Sequence, residues 1–371
     1  MTFDLQPSTF DLQPPTTYQL PMLSFPKLGL RAWIVVLLLV ILAAAFILSL
    51  TLGSVRIPPE QVLRILSGGE PDKASWADVI FKFRLPKAIT ALLVGAALSA
   101  AGLQMQTLFR NPLADPFILG VSSGASLGVA LVILGTGAGS ASAFIAGLNT
   151  FGDLSLALAA SLGAGTVLGA VLIVSRRVQN TVTLLILGLM FGYLTNAVVS
   201  LLIYFSQPER VQVFSLWAAG SFGGVTWNQM RVFAPVTIAG LFIGFVMMKP
   251  LNALLLGDDY ARSLGLNVRR ARFWIILSAS LLAGVSTAFC GPIWFIGVAV
   301  PHVARSLLNT ADHRALLPAS MLMGASFALV ADVIAQAPGS QYVLPLNVVM
   351  SLFGVPVILW VILHQRQLRF S

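Results

Sequence analysis

Few residues in this sequence have the types and spacing that catalysis or metal binding requires. The chain contains neither a phosphate-binding G-x-x-x-x-G-K-[ST] motif nor an H-E-x-x-H zinc motif. Its histidines, His302, His313 and His364, are not spaced as metal ligands, and a single cysteine, Cys290, excludes an internal disulfide. We therefore predict a non-enzymatic protein without a cofactor or a metal site. If it moves a solute uphill, we expect the energy to come from another subunit.

Asp332 is the main acidic residue inside an apolar segment of the sequence, and it lies near the end of that segment. At the middle of a bilayer an aspartate costs about 2.5–3.5 kcal/mol on insertion scales and would suggest an ion relay. Near the end of a helix the carboxyl group can instead reach water or cap a neighbouring helix. We predict a structural or gating role for Asp332 and keep the relay as the alternative.

The composition identifies the class of protein that must position these residues. Hydrophobic residues make up 57% of the 371 positions and charged residues 9%, and the mean hydropathy is +0.90. A soluble domain usually carries about a quarter charged residues, so an ordinary cytosolic enzyme is excluded. The net charge of +9 is scattered between apolar runs, which argues against a nucleic-acid partner. The sequence is that of an all-α polytopic membrane protein whose main partner is the lipid bilayer.

Apolar segments bounded by charge, Pro or Gly predict about ten transmembrane helices in one domain, residues 31–366. Residues 1–30 contain several prolines and a tandem repeat, so we predict a disordered cytoplasmic tail, with a short recognition motif as the alternative. The apolar segments are 31–52, 86–107, 117–135, 154–174, 182–205, 230–249, 271–289, 294–308, 316–336 and 345–364.

The distribution of Lys and Arg predicts the orientation of these segments. With the N-terminus in the cytoplasm, 14 of the 22 basic residues fall on the inner side, in agreement with the positive-inside rule. Both termini are then cytoplasmic. One outer loop breaks the rule, because it carries six basic residues: Arg56, Arg64, Lys73, Lys82, Arg84 and Lys87.

Three blocks of the sequence closely resemble one family of membrane proteins. Residues 84–128 (RLPKAITALLVGAALSAAGLQMQTLFRNPLADPFILGVSSGASLG), 291–335 (GPIWFIGVAVPHVARSLLNTADHRALLPASMLMGASFALVADVIA) and 344–363 (LPLNVVMSLFGVPVILWVIL) are similar to signature blocks of the FecCD family. That family comprises permease subunits of type II ATP-binding-cassette importers for ferric siderophores, haem and vitamin B12. The resemblance implies the type II importer permease fold in a bacterial plasma (inner) membrane. It also implies three kinds of protein partner: a second permease subunit, identical or homologous; two ATPase subunits; and a periplasmic or lipid-anchored substrate-binding protein.

Residues 252–268, between the sixth and seventh apolar segments, have the pattern of an amphipathic helix. Leu256, Tyr260 and Leu264 recur at i, i+4 and i+8, and Gly265 provides a C-terminal stop. The pattern alone leaves a helix on the lipid surface as the alternative. The resemblance implies a cytoplasmic coupling segment that docks into the ATPase subunits. Its candidate residues are Leu256, Asp258, Asp259, Tyr260, Arg262, Leu264 and Gly265.

Arg84 and Lys87 flank Pro86 at the outer start of the second apolar segment. Because both residues break the positive-inside bias, we expect an external reason for their charge, and anchoring to lipid headgroups is the alternative. In the family, basic residues at similar positions pair with carboxylates of the binding protein, so the resemblance implies a docking role. Relatives can carry an Arg where this chain has Gln336, so docking here is expected to rest on fewer charges.

The resemblance also implies that the fifth and tenth apolar segments line the translocation pathway. The turn between the second and third segments is rich in Pro, and we expect either a gating or a purely structural role for it. Its candidate residues are Asn111, Pro112, Asp115 and Pro116.

The predicted cargo is an iron chelate, with a ferric siderophore as first candidate and haem and cobalamin as alternatives. Two rival functions remain at this stage. A secondary transporter driven by an ion gradient predicts buried acids within the spans and transport without ATP. A membrane scaffold predicts partner binding without solute flux.

Overall fold

The structure, a computed structural model, describes residues 28–53, 55–135, 154–175, 181–336 and 343–367, and within these ranges every regular element is helical. A π-helical segment (Val79–Arg84) and a 3-10 turn (Pro116–Leu119) accompany fifteen α-helices. The α-helices are α1 (Leu28–Thr51), α2 (Pro59–Leu66), α3 (Ala74–Asp78), α4 (Leu85–Phe109), α5 (Val121–Ile133), α6 (Ser155–Ser175), α7 (Thr181–Tyr204), α8 (Pro208–Ala218), α9 (Trp227–Val246), α10 (Met248–Leu255), α11 (Asp258–Ser263), α12 (Val268–Cys290), α13 (Ile296–Leu308), α14 (His313–Ala335) and α15 (Leu346–Gln367).

Each of the ten predicted apolar segments contains one of these helices, so the predicted all-α membrane architecture is confirmed. Seven helices of the described residues have the length and hydropathy to cross a membrane, while α5, α13 and the apolar part of α15 are shorter. Helix α5 is short because the 3-10 turn takes up the start of its predicted segment. Residues 1–27 of the predicted tail lie outside the described residues, and residues 28–30 already belong to α1.

The prediction of one amphipathic helix across the coupling segment (252–268) is wrong. The chain forms two short helices there, α10 and α11, separated at Gly257. The backbone φ of Gly257 is +116°, a value that residues with a side chain rarely adopt. The helix therefore cannot continue through this residue. Gly265 has a φ of +81° and follows α11, as the predicted C-terminal stop requires.

Helix α4 lies at the centre of the bundle and packs against α9, α12, α13 and α14. Its backbone touches two of these neighbours because glycines face each other at the crossings. A Cβ added at Gly102 would lie 1.8 Å from the carbonyl oxygen of Gly297 on α13, and one added at Gly95 would lie 2.2 Å from that of Gly324 on α14. Such small residues let helices associate closely in lipid, where burial of apolar surface supplies no driving force.

The bundle has two polar ends that matter for function. The Arg110 end consists of residues 110–115, 247–267 and 309–312, and the Arg84 end consists of residues 52–53, 55–84 and Gln336. Helix α4 runs from the Arg84 end to the Arg110 end, and α14 runs beside it in the opposite direction. The two helices therefore connect both ends through the middle of the bundle.

Replacing Gly102 with Ala should destabilise the fold, because the new methyl group would overlap the Gly297 carbonyl. We expect a loss of about 1–3 kcal/mol or more, as for overpacked cores. The measurement is the thermal unfolding midpoint of the purified protein in detergent. Gly165→Ala is the matched control, since a Cβ at Gly165 meets no atom within 4 Å. Equal midpoints for the two variants would contradict the backbone contact.

Candidate functional site

The coupling segment presents apolar side chains to the outside of the bundle at the Arg110 end. Leu256, Tyr260 and Leu264 are 66%, 49% and 61% exposed, respectively, whereas Ala261 between them is fully buried. Three large exposed apolar groups within a nine-residue stretch form a surface that suits a partner or a membrane rather than water. On its other side, the same stretch is bound to the bundle through polar side chains.

The two neighbouring aspartates of the coupling segment have different surroundings. Asp258 accepts hydrogen bonds from Arg110 Nη2 at 3.3 Å and from Arg272 of α12. Asp259 is fully exposed and forms a surface pair with Arg262, with 3.5 Å between Oδ1 and Nη1. Asp258 thus contacts the bundle, whereas Asp259 points outward. A cavity of about 480 Å³ opens beside them and is lined by Leu108, Phe109, Arg110, Val182, Leu256, Gly257, Asp258, Asp259, Tyr260 and Arg272.

A second polar cluster at the Arg110 end is centred on the buried side chain of His313. Its Nδ1 lies 2.7 Å from Asn252 Oδ1, and its Nε2 lies 2.8 Å from Thr107 Oγ1 on α4. The amide of Asn252 donates to Asp312 Oδ1 at 2.7 Å. No motif in the sequence indicates this cluster, because Thr107, Asn252 and His313 are at least 61 positions apart and match no ligand spacing. It connects α10, α14 and α4.

The four candidates of the Pro-rich turn make structural contacts, two within the turn and two with α13. Asn111 Oδ1 accepts the backbone N–H of Leu113, and Asp115 Oδ1 accepts that of Phe117 at 2.8 Å. Burial raises the pKa of Asp115 to about 6, although the hydrogen bond from Phe117 opposes the shift. The two prolines contact α13: the carbonyl of Pro112 lies 2.6 Å from His302 Nε2, and the ring of Pro116 packs against Gly297.

Arg84 points into the protein. It is 8% exposed, and its guanidinium donates to the carbonyl oxygens of Leu50 and Thr51, in the last turn of α1, and of Val55 just after the helix. The carbonyls of Leu50 and Thr51 have no partner within α1 because they stand at its end, and a cation is also favoured there by the helix dipole. The rare π-helical segment before α4 ends at Arg84. The side chain therefore joins α1 to α4.

Lys87 is the second candidate at the Arg84 end, and it forms an ion pair across two helices. Its Nζ lies 3.0 Å from Asp332 Oδ1 of α14, and Gln336 Nε2 donates to Asp332 Oδ2 at 2.8 Å. Asp332 is only 3% exposed, so the ion pair compensates its burial. Lys87 keeps about a fifth of its side chain exposed. Asp332 thus contacts a neighbouring helix, as its position near the segment end allows.

Helices α7 and α15, which contain the two predicted pathway segments, expose many apolar side chains. Among them are Tyr193, Leu194, Leu201, Leu352 and Leu359. An open, mainly apolar groove of about 550 Å³ lies along α15. A second groove, of about 460 Å³, lies between the Pro-rich turn, the start of α13 and Ile358 of α15, and both grooves include Trp294. The backbone N–H of Trp294 is held by Asn347 Oδ1 at 3.2 Å.

The sequence of this chain is similar to those of known membrane transport proteins. Residues 39–364 match the FecCD transport family. The chain is 37% identical to the vitamin B12 import system permease protein BtuC of Klebsiella pneumoniae, over 91% of this chain and 95% of that protein. It is 35% identical to the hemin transport system permease protein HmuU of Yersinia pestis, over 93% of this chain and 98% of that protein.

A solved structure has the same fold. It is described as an inward-facing conformation of a metal-chelate type ABC transporter, with a TM-score of 0.76 and 28% sequence identity. The match covers 88% of this chain and 97% of the other. The similarity to these relatives, in sequence and in fold, therefore extends over nearly the whole length of this chain and of each relative. This chain belongs to the FecCD transport family.

Proposed function

We propose that this chain is the non-catalytic permease subunit of an ATP-binding-cassette importer. The observation that carries the proposal is the match of residues 39–364 to the FecCD transport family, since it extends from within α1 to within α15. The proposed complex contains a second permease subunit, two ATPase subunits and a substrate-binding protein. The proposed location is the bacterial inner membrane, with both termini and the Arg110 end in the cytoplasm.

The proposed cargo is a metal chelate. Vitamin B12 and haem, the cargoes in the names of two relatives, each hold a metal ion in a large organic ring, and the structural relative is a metal-chelate type transporter. A ferric siderophore belongs to the same chemical class and remains our first candidate, with haem and cobalamin after it. Loose contacts with apolar helices suit an importer, because the pathway must release what it receives.

The proposed mechanism is alternating access driven by the ATPase subunits. Nucleotide binding would move the coupling segment, and this movement would open and close the pathway beside α7 and α15. The rival secondary transporter requires a free acidic group along the spans. Asp332, the main acid of the predicted spans, is already neutralised by Lys87 within the fold. No observation favours that rival.

The proposed function is tested by purifying the tagged chain from its native membrane and identifying the proteins that accompany it. We expect an ATPase, two copies for each pair of permease subunits, and ATP-dependent uptake by the reconstituted complex. Uptake of a ferric siderophore, haem and vitamin B12 is compared in the same vesicles. Solute transport by the chain alone, without ATP and in response to an ion gradient, would overturn the proposal.

Replacing Leu264 with Glu should uncouple ATP hydrolysis from uptake, because a charge would enter the exposed apolar surface that we propose faces the ATPase. We expect uptake per ATP hydrolysed to fall about tenfold, within the range of typical coupling energies. Arg262→Glu should act in the same direction. The matched control is Leu63→Glu, a similarly exposed leucine on α2 at the opposite end. Unchanged coupling in Leu264→Glu would rule out this surface.

We propose that docking of the binding protein involves Lys87, while Arg84 holds α1 in place beneath it. The test is the charge swap Lys87→Asp with Asp332→Lys, which keeps an ion pair between α4 and α14 but removes the exposed cation. We expect a thermal midpoint near that of the unchanged protein, together with about tenfold weaker docking that depends less on salt.

The single variant Lys87→Gln separates the two roles of this lysine. It leaves the buried Asp332 unpaired, so stability and docking should both fall. If the charge swap restored docking as well as stability, the Lys87–Asp332 pair would be purely structural and the docking assignment would be wrong.

A further inference from the structure

The coupling segment is fixed to the bundle at two points, and both include the same helix end. The first point is Asp258, which accepts hydrogen bonds from Arg110 and Arg272. The second is Asn252, which contacts His313, and His313 in turn contacts Thr107. Thr107 lies in the last turn of α4, and Arg110 is the residue at which that helix ends. We call these contacts the Asp258 clasp and the Asn252 clasp.

Of the two arginines that contact Asp258, Arg110 is the one that connects distant parts of the chain. Arg272 lies on α12, the helix that directly follows the coupling segment, so its contact bridges neighbours in the chain. Arg110 lies 148 positions before Asp258. Its backbone is left-handed, with φ at +46°, which is uncommon for a residue other than Gly and ends α4 at this position. A long-range charged contact at a strained helix end implies that the position of Arg110 matters.

The Asn252 clasp is built around the buried ring of His313, with Asn252 and Asp312 half-buried beside it. Asn252 Oδ1 accepts the backbone N–H of His313 at 2.9 Å and also faces the His313 ring, while its amide donates to Asp312. The His313 side chain is 1% exposed, and so its ring nitrogens have few alternatives to these partners. Breaking these contacts is costly, because the buried side chains of His313 and Thr107 would be left without partners inside the protein.

Helix α4 touches α13 and α14 through the helix backbones. The contacts at Gly95 and Gly102 leave no gap for side chains to absorb movement. Gln106 adds a polar connection: its amide donates to the Val298 carbonyl of α13 at 3.2 Å, and its carbonyl accepts from Arg305 at 2.8 Å. At the far end, Lys87 and Asp332 join α4 to α14.

We propose that Asp258 and Asn252 are positioning residues that clamp the coupling segment to the end of α4, so that a displacement of this segment moves α4, α13 and α14 as one body. This inference rests on the proposed function and specifies how the coupling segment acts. Asp258 then serves the permease internally, and the neighbouring Asp259 and Arg262 remain for contact with the ATPase.

The test uses the complete complex reconstituted in vesicles, with Asp258→Asn in the permease. The change keeps the size of the side chain and removes its charge, so the contact with both arginines weakens. We expect unchanged assembly with the ATPase, basal ATP hydrolysis within about twofold, and uptake per ATP reduced about tenfold. Asp259→Asn should instead weaken assembly. Arg314→Gln, an exposed cation next to His313, should behave like the unchanged protein.

A double-mutant cycle shows whether Asp258 acts through Arg110. If the clasp is real, Arg110→Gln lowers uptake per ATP, and the combination with Asp258→Asn is no worse than Asp258→Asn alone. Additive losses would overturn the pairing. Asn252→Ala tests the second clasp in the same assay and should reduce uptake per ATP without loss of the ATPase.

A distance measurement provides a readout that loss of ATPase contact cannot mimic. Spin labels are placed on the exposed positions Ser263 and Leu113, with the buried Cys290 replaced by Ala. The distance between them should be narrowly distributed in the otherwise unchanged permease and broad in Asp258→Asn. An unchanged distribution, or weakened assembly with normal uptake per ATP, would overturn the proposal. Failure of the unchanged complex to take up any chelate would instead count against the proposed function.

Discussion

The contact of the α4 backbone with α13 and α14 is the constraint on which the rest of this structure depends. In lipid, apolar side chains gain little from leaving their solvent, so helices associate through close packing and polar contacts. Gly95 and Gly102 make that packing possible on α4, because their partners approach to distances that no Cβ would allow. With α4 fixed in the centre, α9 and α12 close around it, whereas α7 stays more exposed to its surroundings.

Polar contacts then fix the ends of α4, where side chains can reach partners outside the apolar layer. Arg84 joins its first turn to the end of α1, and Lys87 joins it to Asp332 of α14. Thr107 and Arg110 join its last turn to His313 and Asp258. The middle of the helix is held by shape and its ends by charge and hydrogen bonds. This division lets the coupling segment and the Arg84 end contact one rigid element.

The spans could be predicted from the sequence because each depends on a long local run of apolar residues. The exposed surface of Leu256, Tyr260 and Leu264 was also predictable as an apolar pattern, although Gly257 divides the predicted helix. The direction of a charged side chain was not predictable in this way. The three carbonyls that hold Arg84 belong to residues about thirty positions earlier, and His313 meets Thr107 across 206 positions. Such contacts follow from the packing of helices and leave no periodic signal.

The predicted exception to the positive-inside rule is reduced once these contacts are considered. Arg84 and Lys87 are engaged within the fold, which leaves four basic residues in the loop before α4. Four acidic residues of the same loop balance them, and two pairs are in direct contact, Arg64 with Asp72 and Lys82 with Asp78. The positive-inside rule counts Lys and Arg and gives Asp and Glu little weight, so these four basic residues still form an exception to it. Because the charges of the loop balance, any attraction of an acidic partner to this end would depend on the local placement of single cations such as Lys87. The residues involved, in chain order, are Arg56, Glu60, Arg64, Glu70, Asp72, Lys73, Asp78 and Lys82.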